Sequence, residues 1–166
     1  MTDAKNLYDR DFVAWTEQQA EALRAAGRGS TNQPLDWENL AEEIDDLGRS
    51  VRHELRRQLT RIQRHLIKLG HSPARYPRRG WRESVREARS EIATLLNENP
   101  SLKGEVDGFA AEQLSQAIKL AVADLDDYQE LDLARRRTVV STSFTIDQIL
   151  GDWFPPEPPR RAARRN

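Results

Sequence analysis

The sequence predicts an all-α protein: an antiparallel four-helix bundle with one long central helix and a short C-terminal helix. Three observations predict it. From Asp36 to Gly70 the apolar residues Trp37, Leu40, Ile44, Leu47, Val51, Leu55, Leu59, Ile62, Leu66 and Leu69 recur at steps of three and four without losing phase. That is the pattern of one buried helical face. Further amphipathic stretches are separated by short connectors rich in Gly and Pro, as antiparallel helical neighbours require. No segment alternates apolar and polar residues with period two over a useful length, so no sheet is expected.

The elements follow in order. A first helix begins near Asp9 or Asp11, either able to cap free amides, with Tyr8, Phe12, Trp15 and Leu23 on one face and Gly27 to stop it. Residues 27–34 (GRGSTNQP) read as a mobile connector. Asp36 then caps the long helix, of roughly 50 Å at ~1.5 Å per residue. Gly48 interrupts its composition but not its phase, so no break is expected there and a helix-packing reason is. Residues 70–80 hold two Gly and two Pro and read as a loop. A third helix carries Trp81, Val85, Ala88, Ile92 and Leu95 and ends before Pro100. Ser101 caps a fourth through about Asp127, expected to be the most buried. RRRTVVSTSF, rich in β-branched residues, reads as extended. Thr145 and Gln148 form a capping-box pair, with Phe144 and Ile149 at the staple positions, so a short helix over 146–150 ends at Gly151. Trp153 and Phe154 pin this segment down. Residues 1–154 are read as a single helical-bundle domain and 155–166 as a disordered basic Pro/Arg-rich tail.

Composition narrows function. The chain has 166 residues, 37% hydrophobic and 32% charged, with a net charge of −1 that points to neither a general nucleic-acid binder nor an acidic tail protein. It has no cysteine, which excludes disulfides, thiolate metal sites and thiol catalysis. No run of ~18 apolar residues and no N-terminal apolar leader segment occurs. A soluble cytoplasmic protein, with no membrane partner, is the expectation.

The ordered strings LYDRDFVAWTEQQAEALRAAG, LDWENLAEEIDDLGRS, HLIKL, GWRESVREARSEIATLLNENPSLK and TIDQIL resemble the bacterial domain-of-unknown-function family twenty-nine, over roughly Leu7 to Trp153. The resemblance implies an all-helical bacterial protein and supplies no catalytic residues. Leu69-Gly70-His71 departs from the aromatic run that often follows the HLxK element in that family.

Charge is laid out in blocks. Six acids and no bases lie between Asp36 and Asp46, whereas Arg49 to Arg89 holds thirteen bases and three acids. Arg75, Arg78, Arg79 and Arg82 around the 70–80 loop are candidates for nucleic-acid or anion binding, with Tyr76 and Trp81 interleaved as stacking or interface residues. The ordinary alternative is a solvated face, or neutralisation by the acidic blocks. Glu43, His65 and His71 are the candidate metal ligands. Against them stand the preference of acids for a helix N-terminus and the commonness of a half-buried histidine bonded to a neighbour. Polar Gln58 within the stripe predicts a buried hydrogen bond. No nucleophile elbow, phosphate loop, dinucleotide fingerprint or calcium loop is present, so no catalytic residue and no cofactor is assigned. The expected function is a protein–protein interaction or regulatory module, with a protein partner or a second copy. The alternatives are electrostatic nucleic-acid binding through the Arg-rich 70–89 region and a metal-dependent helical-bundle hydrolase.

Overall fold

The phase of the central segment is realised in one unbroken helix. In the computed structural model, which describes residues 3–29 and 33–158 (side chains from Asn6 onward), the helices are α1 Asp3–Arg10, α2 Phe12–Arg28, α3 Trp37–His71, α4 Arg78–Glu98, α5 Val106–Asp127, α6 Leu133–Val140 and α7 Ile146–Leu150. A 3-10 turn, Pro100–Gly104, precedes α5, and no strand occurs among the described residues. The expected long central helix and short C-terminal helix are α3 and α7. The chain forms two compact units, Met1–Leu55 with Ala93–Val106, and Arg56–Ile92 with Asp107–Asn166.

In the first unit Asp11, already singled out as a cap, accepts a hydrogen bond from the Ala14 amide (2.9 Å) and starts α2, leaving α1 as a separate helix. Asp36 likewise accepts from the Asn39 amide at the head of α3 (3.2 Å). The buried side of α3 in this unit is not quite the expected one. Leu40 and Leu47 remain 41% and 47% exposed, while the smaller Ala41 and Gly48 are buried. The reason is the closeness of α2: a Cβ on Gly48 would collide with the Thr16 hydroxyl. Gly27 plays the reciprocal part, since a Cβ there would come within 2.7 Å of Trp37 Cβ. Ser101 does not cap the fourth helix; its amide and hydroxyl donate to Asp11 instead, and α5 starts only at Val106.

In the second unit the C-terminal half of α3 is the most buried helical stretch, with Leu59, Ile62, Leu66, Ile67 and Leu69 at 0–1% exposure. This corrects the expectation that α5 would be. Ile67 packs with Ala117, Ala121, Leu125 and Val139. Val139 belongs to α6, which the β-branched composition had marked as extended. Asp132 overrides that preference by accepting from the Arg135 amide (2.8 Å), and burial of Val139 holds the turn in place. The capping box of α7 forms as expected, Thr145 N–H donating to Gln148 Oε1 (2.9 Å) and Gln148 N–H to Thr145 Oγ1 (3.2 Å).

α3 runs to His71 and α4 begins at Arg78, so the expected 70–80 loop is confined to 72–77. Pro155, the first residue of the expected tail, is buried beside Gly70, and the exposed Glu157 pairs with Arg78 (3.4 Å). The rest of that expectation, 159–166, and the middle of the expected connector, 30–32, lie outside the described residues.

Candidate functional site

The basic face of α3 is answered mostly by acids from other segments of the same unit. In the first unit Arg52 pairs with Glu17 (2.6 Å) and Glu105 (3.0 Å), while the acidic head of α3 is answered in turn by Arg24 of α2, which pairs with Asp45 (2.6 Å). In the second, Arg56 pairs with Glu112 (3.4 Å), Arg61 with Glu87 (2.7 Å) and Arg64 with Asp124 (2.5 Å). Neutralisation between segments, one of the two readings of this block, therefore accounts for Arg52, Arg56, Arg61, Arg64 and Lys68, while Arg57, Arg75, Arg79 and Arg86 are exposed.

The four arginines around the loop serve separate ends. Arg78 is buried and donates to the carbonyls of Leu69 (2.8 Å) and Ser72 (3.2 Å), tying off the C-terminus of α3. Arg79 pairs with Glu83 one turn on (2.9 Å). Arg82 lies 5.2 Å from the Phe154 ring centroid, alongside Arg86 and Arg89. Arg75 is exposed in the loop.

The candidate metal ligands are not brought together as a set. Glu43 is exposed in the first unit, and the two histidines lie in the second. His71 Nε2 is 3.2 Å from Thr142 Oγ1. His65 lines a groove of about 340 Å³ with Arg57, Thr60, Arg61, Arg64, Gln116 and Leu120. Burial first, then the charges of Lys68, Arg64 and Arg61, push its pKa down to about 4. No group of three or more His, Asp or Glu side chains suited to a metal ion occurs among the described residues.

The two candidate interface residues do share a site. Tyr76 and Trp81 line a cavity of about 350 Å³ with Lys68, Ala74, Pro77, Tyr128 and Glu130. Two chain reversals build it. On one side, Ser72 Oγ accepts from the Ala74 amide (3.1 Å) and Arg78 fixes the Ser72 carbonyl, and Tyr76 in this loop stands fully exposed. On the other, α5 ends in a left-handed turn: Gln129 has φ 55°, its N–H donates to Asp126 O (2.8 Å), and the Glu130 N–H reaches back to Leu125 O (2.9 Å). That is the six-to-one and five-to-two bonding of a Schellman cap, made here without glycine. It leaves Tyr128 75% exposed.

The cavity floor is polar chemistry under tension. Lys68, only 8% exposed, places Nζ 4.6 Å from the Trp81 ring centroid and 2.9 Å from Asp124 Oδ2. Burial raises the Asp124 pKa, but hydrogen bonds from Arg64 and Lys68 more than offset this and hold it below the usual carboxylate value. Glu130 has no such support. Its Oε2 is shut off from water and has no hydrogen-bond partner. Tyr128, Glu130 and Lys68 escaped the sequence reading because nothing in the sequence places the end of α5 beside the 72–77 loop.

Comparison with known proteins agrees with this architecture. The family model described as Domain of unknown function DUF29 matches residues 7–154. The crystal structure of an alpha-helical protein of unknown function from Rhodospirillum rubrum is similar, with a TM-score of 0.68 and 27% identity over 87% of this chain and 89% of that one. No curated protein matches. With nearly its whole length matched, and the ordered strings noted in the sequence falling inside the match, the chain belongs to the DUF29 family.

Proposed function

We propose that this protein acts by contact with another protein, taking a projecting side chain of its partner into the cavity between Tyr76 and Tyr128. One observation carries the reading: two strongly exposed tyrosines and a half-buried tryptophan converge on an apolar-walled cavity of about 350 Å³. Exposed aromatic side chains cost little ordering entropy and are enriched where proteins meet. Arg78 buried on backbone carbonyls and Arg79 paired with Glu83 favour this reading over an electrostatic nucleic-acid site. His71 held against Thr142 (3.2 Å) and His65 set among the cations Arg61, Arg64 and Lys68 favour it over a metal-dependent hydrolase. The proposal carries with it the bacterial, cytoplasmic setting expected from the sequence, the bacterial part supported by the Rhodospirillum rubrum relative.

The test is site-specific photo-crosslinking in cells of the source organism, with a benzophenone side chain at position 76 and separately at position 128. The expected result is one protein adduct common to both positions, weakened by Trp81→Leu. Adducts that differ between the two positions, or none at either, would overturn the proposal.

A further inference from the structure

We infer that the side chain this cavity accepts is a cation, the ammonium of a lysine or the guanidinium of an arginine on the partner protein. The inference rests on the docking reading above and adds to it the chemistry of the occupant. Three observations converge on a positive charge.

The first is the position of Glu130. In a Schellman cap the residue after the left-handed one commonly packs an apolar side chain back onto the last turn of the helix. Here a glutamate occupies that position, with its N–H on Leu125 O. One of its carboxylate oxygens is closed to water and unbonded, and no ion pair reaches it among the described residues. A carboxylate so placed is destabilising, and a positive charge held in the adjoining cavity offsets it through space without touching the enclosed oxygen.

The second is the charge balance of the wall. Lys68 and Glu130 are the two ionisable acid and base side chains of opposite sign lining the cavity. The Lys68 ammonium is answered by Asp124 at 2.9 Å. Glu130 is the charge left over. An acidic occupant would be repelled by it, and an apolar one would seal it in without a partner.

The third is the aromatic lining. Ring faces attract ammonium and guanidinium groups through their quadrupole. Trp81 already does so for Lys68, at 4.6 Å. The rings of Tyr76 and Tyr128 carry no such cation among the described residues and flank the same space. A cavity of about 350 Å³, against ~30 Å³ for a liquid water molecule, has room for a long unbranched side chain with a charged end.

The experiment titrates the full chain with peptides Gly-Ser-X-Ser-Gly, where X is arginine, lysine, norleucine or glutamate, and with n-butylammonium alone. The readout is the Trp81 indole N–H resonance, identified by its loss in Trp81→Phe. Arginine and lysine peptides are expected to bind at least tenfold more tightly than the norleucine peptide, and the glutamate peptide to cause no shift. Glu130→Gln is expected to abolish that preference, with a thermal midpoint no lower than that of wild type. Tyr128→Leu should reduce the preference several-fold. Equal binding of norleucine, a preference that survives Glu130→Gln, or silence from every peptide would overturn the inference. Binding of n-butylammonium as tight as that of the peptides would overturn the assignment to a protein side chain. Equal binding of norleucine together with a common photo-adduct leaves the docking reading standing and removes only the charge. Silence from every peptide with no photo-adduct removes both.

Discussion

Asp11 and Ser101 meet through two hydrogen bonds across 90 positions of sequence: Asp11 Oδ2 accepts the Ser101 N–H at 2.6 Å, and Oδ1 accepts the Ser101 hydroxyl at 2.9 Å. The same Oδ1 caps α2 through Ala14. Asn99 returns the gesture, its Oδ1 accepting the Val13 N–H at 3.1 Å. One buried carboxylate thus starts a helix and fastens the 3-10 turn to it.

Asp11→Ala is expected to lower stability by about 4 kcal/mol, from a lost cap of ~1 kcal/mol and two lost charge-assisted bonds of ~1.5 kcal/mol each. Asp11→Asn, which keeps an acceptor for Ala14, should lose about half as much. Urea unfolding measures both. Wild-type stability in the Ala variant would show that the tie carries no weight.

Gly48→Ala gains ~1 kcal/mol of helix propensity but must push the Thr16 hydroxyl aside, at about 1–3 kcal/mol for overpacking. Thr16 cannot yield freely, because its hydroxyl donates to Val13 O at 2.7 Å. The single variant should be no more stable than wild type, and usually less. Adding Thr16→Ala should make the Gly48 substitution favourable, which a double-mutant cycle reads directly. Additive effects would refute the close approach.

Arg89 donates to three carbonyls, Ile149 (2.8 Å), Gln148 (2.8 Å) and Trp153 (2.8 Å). A lysine ammonium has no planar fork to match them. Arg89→Lys should therefore raise amide exchange across α7 at least tenfold, with α2 unaffected. Unchanged protection of residues 146–150 would remove the clamp from the account of how that segment is held.

Gln129 pays for its left-handed conformation, about 1 kcal/mol for a residue with a Cβ. Gln129→Gly is expected to stabilise by about 0.5–1 kcal/mol, visible as a small rise in thermal midpoint. A fall would mean that the Gln side chain holds the turn in some other way.

His65 supplies a pH dependence of definite sign. Its folded pKa of about 4 lies below the ordinary 6.5, so the unfolded chain binds the proton more readily. The stability it contributes is complete above pH 6.5 and is lost as the pH falls toward 4. At ~1.4 kcal/mol per pH unit the full loss is about 3 kcal/mol, which screening at a partly exposed ring reduces to about 1–2. His71, also lowered by burial and then by Arg135, acts in the same direction. Stability measured from pH 7 to 4 should fall less in His65→Gln than in wild type by that amount. Parallel curves would sink the assignment.

The sequence carried the long helix because a repeat of three and four survives any local detail, and it carried α7 because a capping box is a purely local code. It misjudged the inward side of α3 in the first unit because hydrophobicity favours Leu40 and Leu47, whereas the approach of α2 selects small Ala41 and Gly48. It missed α6 because Asp132 and the burial of Val139 decide that segment against its β-branched propensity. Of the candidate cavity, Tyr76 and Trp81 were legible as aromatics within a charged loop. Tyr128 and Glu130 were not, since they reach the same place only through a left-handed Gln129 some fifty residues further along.

Asp124 receives both Arg64 and Lys68, one turn apart on α3. Losing that acid alone would strand two positive groups, one of them almost wholly enclosed. Inheritance should therefore treat the three sites as a block: in kindred proteins, replacement of the aspartate is expected to travel with replacement of the buried lysine, so that descent preserves the balance and not the letters.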